Sequence, residues 1–168
     1  MKIRTMTRVA LFAALTAVGA FIRIPLGYSS ITLQTFFTAM AGCVLGPWYG
    51  VGVAFVASLV RNILGIGSLM AFPGSMCGAL LCGIVYHKTK NLLATLAGEV
   101  FGTGIIGGLL AWPVAVFLMG KAAGDIAFYA YVVPFLVSTV GGSIIAGVVL
   151  IALEKNGALK KMQASLAR

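Results

Sequence analysis

Acidic side chains are nearly absent: Asp and Glu together number 3 in 168 residues, and charged residues of both signs make up only 9%. A soluble domain carries roughly 25% charged residues, so this chain cannot cover a water-facing surface. Histidine occurs only as His87, which leaves no nucleophile–base set for covalent catalysis. His87 closes an apolar segment and is read as solvated. No GxxxxGK[ST] loop is present, which excludes ATP hydrolysis by that route. Cys43, Cys77 and Cys82 fall in apolar segments without CxxC spacing. They supply neither a disulfide framework nor a metal pair, and read as small packing residues. The chain therefore reads as something other than an enzyme.

What remains is apolar. Hydrophobic residues make up 61% of the chain and the mean hydropathy is +1.08. Six apolar segments, 9–22, 31–45, 48–64, 72–86, 92–119 and 128–153, predict one domain over residues 1–168. It is an all-α integral membrane protein, a bundle of six transmembrane helices. Several segments fall short of the roughly 20 residues of a straight span, so tilted helices and dipping loops are expected. The basic N-terminus before the first segment has the look of a signal peptide. Further spans follow directly, so it is read as the first membrane helix.

The net charge of +9 does not point to nucleic acid, because the basic residues form no stripe with aromatics. They cluster between apolar segments. With the N-terminus in the cytoplasm, Lys2, Arg4, Arg8, Lys88, Lys90, Lys155, Lys160, Lys161 and Arg168 all lie inside. Arg23, Arg61 and Lys121 fall on or near the outer side. This asymmetry predicts a multi-pass protein of the cell membrane with both termini cytoplasmic. Trp48 then takes an aromatic-belt position at the inner interface.

Glycines four apart, at Gly42/Gly46/Gly50, Gly74/Gly78, Gly98/Gly102 and Gly104/Gly108, permit close helix approach in lipid. Helix one carries an alanine ridge at Ala10, Ala13, Ala14 and Ala17. The GxGxxG match at 102–107 lies inside an apolar helix with no strand before it, so it is not a dinucleotide fingerprint.

Polar groups within these segments carry the functional signal. An ionised group at mid-bilayer depth costs about 2.5–3.5 kcal/mol on insertion scales. Glu99 shares a helix face with Thr103, and Ser58, Arg61 and Asn62 adjoin at the outer end of span three. Gln34 and Thr38 share a face beside Thr35. Tyr131, Pro134 and Ser138 form one stripe of span six, and Thr139 and Ser143 another. These groups must turn inward, because lipid offers them no partner. They are expected to converge on one outward-half cavity under the loops 23–30 and 65–71. Arg61 and Glu99 are expected to pair, either as a structural ion pair or beside a ligand. Serines and threonines either glue helices or bind ligand. Trp112 faces away from Glu99 unless Pro113 reshapes the helix. Lys121 and Asp125 read as an exposed loop pair.

The sequence resembles the substrate-binding S components of energy-coupling factor (ECF) transporters, and within them the ThiW group. The resemblance is carried by residues 45–50 (LGPWYG), Arg61-Asn62 before Gly65-Ile66-Gly67, residues 70–76 (MAFPGSM), and 98–113 from Gly98-Glu99 to Trp112-Pro113. Residues 31–35 (ITLQT) are similar to the second helix of the biotin S component. The resemblance implies a carrier for a thiamine precursor, 4-methyl-5-(2-hydroxyethyl)thiazole. It implies a transmembrane scaffold (T component) and two ATPase subunits as partners, with ATP used by those partners and no cofactor in this chain. The alanines of helix one match the family's scaffold-docking ridge. Substrate contacts are expected among Gln34, Arg61, Asn62, Phe72, Glu99, Thr103, Trp112, Tyr131 and Ser138. Tyr28, Phe72, Tyr131 and Trp112 are candidates for stacking on a flat ring. The competing readings are a stand-alone secondary carrier or facilitator for a small heterocycle such as thiamine or biotin, and an assembly protein without a solute.

Overall fold

A computed structural model describes residues 3–25, 30–120 and 127–167. Eight α-helices, one π-helical segment and a two-stranded hairpin are present among them. Helix α1 spans Ile3–Gly19, and strands β1 (Arg23–Pro25) and β2 (Ser30–Thr32) pair antiparallel. Then follow α2 (Gln34–Leu45), α3 (Pro47–Ile63) and α4 (Ala71–Thr89). Helix α5 (Leu92–Glu99), the π segment (Val100–Ile106) and α6 (Gly107–Phe117) run as one continuous helix, Leu92–Phe117. Helices α7 (Val132–Lys155) and α8 (Ala158–Ala167) complete the chain. By length and apolar composition, Leu92–Phe117 and Val132–Lys155 are long enough to cross a membrane; α1 and α2 are shorter apolar helices.

Local sequence explains the boundaries. Pro47 begins α3, where its missing N–H costs nothing, after Gly46 turns the chain at φ +89°. Asn91 caps α5 by accepting from Leu93 N at 2.9 Å and Ala94 N at 3.4 Å, the usual role of an N-cap amide oxygen. Gly65, at φ +70°, lets the chain leave α3, and Ile66 N and Gly67 N return to the Arg61 carbonyl at 3.0 Å each. Pro134 sits in the first turn of α7, where proline is tolerated.

The expected segments shift where the hairpin forms. Residues 20–22 leave α1 by a turn, and 31–32 are strand rather than helix, because β1 and β2 pair with Arg23 opposite Thr32. Helix α8 lies beyond the last expected segment. Its Gln163 donates to the Cys43 carbonyl at 2.9 Å and to the Tyr86 hydroxyl at 3.1 Å.

The glycine spacing becomes close packing of α4 against the π segment and α6. A Cβ on Gly102 would lie 2.8 Å from the Cys77 carbonyl oxygen, and one on Gly107 would run into Gly74 Cα. Such contacts replace the hydrophobic drive that lipid does not provide. One end of the bundle is sealed by an apolar cluster that includes Cys43, Cys82, Tyr86, Leu92, Leu96, Leu150 and Leu159. Lys88, Lys90, Lys155, Lys160 and Lys161 are exposed on the elements that meet at that end.

Candidate functional site

The opposite end holds a cavity of about 330 Å³, at the small end of the range for ligand sites. Its wall comes from several elements that meet at this end. Strand β2 gives Ser30 and Thr32, and α2 gives Gln34, Thr35 and Thr38. Arg61 comes from the end of α3, Ser68 from the following loop, and Ala71 and Ser75 from the start of α4. Glu99 and Thr103 flank the beginning of the π segment. Pro134, Phe135, Ser138 and Thr139 come from the first turns of α7. The π segment interrupts the helical register just where Glu99 and Thr103 must face inward, a common use of such segments at functional sites.

Five of the residues expected to contact substrate therefore share one wall: Gln34, Arg61, Glu99, Thr103 and Ser138. The expected pair of Arg61 with Glu99 is not made. Arg61 Nη1 donates instead to Gln34 Oε1, and among the described residues Glu99 Oε2 has no hydrogen-bond partner. Helix α4 packs against both α3 and α5. Glu99 is 2% exposed. Arg61 Nε and Thr38 Oγ1 are also buried without a partner among the described residues.

The remaining candidates lie off this wall. Asn62 Nδ2 donates to the Ser58 carbonyl at 2.9 Å and the Ser68 carbonyl at 3.4 Å. It folds the 64–70 loop back over α3, which consumes the donor that a ligand would need. Phe72 stacks edge-on against Phe55 with ring centroids 5.6 Å apart. Trp112 does the same with Phe128 at 5.5 Å, so Pro113 does not turn it inward. Tyr131 precedes α7 and is absent from the wall. Tyr28, Lys121 and Asp125 lie outside the described residues.

Phe135 is the aromatic side chain that does line the cavity. Gly74 makes room for it: a Cβ there would lie 2.8 Å from Phe135 Cε1. Its position three and four residues before Ser138 and Thr139 is the signal that places it on their stripe. Ser75 was also missed. It lines the wall while its hydroxyl meets Ser58 Oγ at 2.8 Å and the Ala71 carbonyl at 2.8 Å.

The hairpin forms one lip of the cavity. Arg23 Nη2 donates to the Ile66 carbonyl at 2.9 Å, and Ser138 Oγ donates to the Ser30 carbonyl at 2.5 Å. These bonds tie the hairpin to the 64–70 loop on one side and to α7 on the other. The apolar cluster closes the other end, so the cavity is a one-ended site.

The alanine ridge of α1 divides. Ala10 and Ala14 are exposed, whereas Ala13 is 5% and Ala17 6% exposed. Ala13 packs in the cluster of Phe12, Ala41, Leu45 and Val53. It serves the bundle itself, because a helix can offer only one face to an outside partner.

Residues 6–156 match the family model of ThiW, described as a thiamine-precursor transporter protein. The chain is 34% identical over 137 residues to the probable biotin transporter BioY of Pyrococcus horikoshii, covering 82% of this chain and 70% of that protein. It is 28% identical over 169 residues to the biotin transporter BioY of Thermotoga maritima, covering 90% of this chain and 96% of that one. Among solved structures, the S component of a bacterial ECF transporter superposes with a TM-score of 0.73 at 19% identity, covering 90% and 96% of the two chains. The S component for biotin from an ECF-type ABC transporter superposes with a TM-score of 0.63 at 20% identity, covering 91% and 90%.

Proposed function

Because the chain belongs to the ThiW family of thiamine-precursor transporter proteins, we propose that this substrate-binding S component of an ECF-type vitamin transporter takes the thiazole precursor of thiamine. The ligand is 4-methyl-5-(2-hydroxyethyl)thiazole, a neutral, flat heterocycle with one hydroxyl. The observation that carries this reading is the cavity wall. It sets one aromatic ring, Phe135, beside Ala71 and Pro134 among twelve polar side chains in about 330 Å³. A ring to stack on and several groups able to orient a small solute by hydrogen bonds suit a flat heterocycle with a hydroxyl.

The placement of charge supports an outward-facing site. The cavity lies at the end of the bundle away from Lys88, Lys90, Lys155, Lys160 and Lys161. Basic residues favour the cytoplasmic side. The proposed topology is six passes through the cell membrane with both termini cytoplasmic and the cavity open outward. Uptake then requires a T component and two ATPase subunits, which supply the ATP-driven step.

Sequence similarity to biotin transporters favours biotin as the second reading. Titration calorimetry of the purified chain separates the two. A clear isotherm with the thiazole, and weaker or no binding of thiamine and biotin, is expected. Heat with biotin or thiamine and none with the thiazole overturns the assignment.

A further inference from the structure

Arg61, Glu99 and Thr38 line one cavity from α3, α5 and α2, and their Nε, Oε2 and Oγ1 atoms are buried without a hydrogen-bond partner among the described residues. Such atoms are costly to leave unmade, so their joint presence on one wall calls for a common partner. Neighbouring polar groups are already engaged. Arg61 Nη1 is held by Gln34, Ser75 Oγ by the Ala71 carbonyl, Thr139 Oγ1 by the Phe135 carbonyl and Ser138 Oγ by the Ser30 carbonyl. These three buried atoms offer an N–H that only donates, a carboxyl oxygen that accepts, and a hydroxyl that does either.

We propose, building on the thiazole reading above, that Glu99 is the specificity-determining residue, accepting the ligand's hydroxyl proton while Arg61 Nε–H donates to its ring nitrogen. The ligand's two hydrogen-bonding ends match Glu99 and Arg61, and this fixes which way round it lies. Thr38 meets whichever lone pair or proton remains. An analogue without the hydroxyl leaves Glu99 buried and unpaired, and sites built around a substrate hydroxyl reject such analogues strongly.

The test is calorimetric titration of the full chain with three probes. They are the hydroxyethylthiazole, its 5-ethyl analogue lacking the hydroxyl, and its thiophene analogue lacking the ring nitrogen. The wild-type protein is expected to lose about tenfold or more in affinity for each analogue. In Glu99→Leu the preference for the hydroxyl should fall to within about threefold, while the preference for the ring nitrogen persists. Glu99→Gln keeps a carbonyl acceptor and should retain part of the hydroxyl preference. A wild-type protein that binds the alcohol and the ethyl analogue equally overturns the assignment without any variant, and so does a Glu99→Leu protein with its preference intact. Binding of biotin or thiamine with no binding of any thiazole overturns the function itself, and this assignment falls with it.

Discussion

Arg61 Nη1, at the last turn of α3, donates to Oε1 of Gln34, the first residue of α2. The last turn of α3 favours a cation and the first turn of α2 does not, so the Gln34 carbonyl offsets the unfavourable side of this placement. Glu99 does not share in that bond. Two double-mutant cycles should separate the relationships. Arg61→Gln with Gln34→Leu should show coupling of about 0.5–3 kcal/mol, the range for contacting groups. Arg61→Gln with Glu99→Gln should be additive within about 0.5 kcal/mol. Thermal unfolding in detergent measures both, and strong coupling in the second cycle would mean the carboxylate and guanidinium pair directly.

The polar half of the site was readable because a charge or amide in an apolar stretch has few reasons to be there. Gln34, Arg61 and Glu99 announce themselves this way and meet on one wall with Thr103 and Ser138, whose hydroxyls alone do not tell ligand contact from helix packing. Whether such a group faces the ligand or a nearby carbonyl is a tertiary matter. Asn62 is one position from Arg61, yet its amide is consumed by Ser58 and Ser68. Aromatic residues were harder to sort, since Phe135, Phe72 and Trp112 look alike within apolar sequence and only helix rotation assigns one of them to the wall. The π segment left no trace, because adding a residue to a turn does not alter a run that is apolar all round. The hairpin was hidden for another reason: Arg23–Pro25 and Ser30–Thr32 are three residues each, too short for strand alternation to emerge.

The hairpin lip should govern how long a ligand stays. Ser138 Oγ holds the Ser30 carbonyl, and a single neutral hydrogen bond is worth about 1 kcal/mol net. Ser138→Ala is expected to raise the ligand dissociation rate about fivefold, with a smaller effect on association. Arg23→Ala, which removes the bond to the Ile66 carbonyl, should act in the same direction. Stopped-flow displacement of bound thiazole reads both. Unchanged dissociation in both variants would mean that the lip does not limit release.

Glycine positions should respond unequally to a single added methyl. At Gly107 a Cβ meets Gly74 Cα, and at Gly102 it meets the Cys77 carbonyl, so Ala at either site forces the α4 contact apart. Overpacking of this kind costs about 1–3 kcal/mol. Gly52 has nothing within 4 Å of its added Cβ and lies inside α3, where Ala is favoured over Gly by up to about 1 kcal/mol. Gly107→Ala and Gly102→Ala should therefore lower Tm, whereas Gly52→Ala should leave it unchanged or raise it. Equal effects at all these positions would show that helix propensity, not close approach, sets the response.

Helix α1 presents a sharper contrast, because adjacent alanines have opposite surroundings. Ala13 is enclosed with Phe12, Ala41, Leu45 and Val53, while Ala14 is exposed beside Leu11 and Leu15. A tryptophan at Ala13 has no space to enter and should destabilise the bundle by several kcal/mol, at or above the usual overpacking range of about 1–3. A tryptophan at Ala14 projects outward and should leave Tm and thiazole affinity nearly unchanged. If the scaffold packs on the exposed small-residue stripe Ala10/Ala14, that same bulk holds the two membrane proteins apart, since close approach is what small residues provide in lipid. Ala14→Trp is then expected to abolish uptake in cells expressing the whole transporter and to weaken co-purification with the scaffold. Normal uptake by Ala14→Trp would move the docking surface to another face, and loss of thiazole binding by the isolated variant would place helix α1 in the site instead.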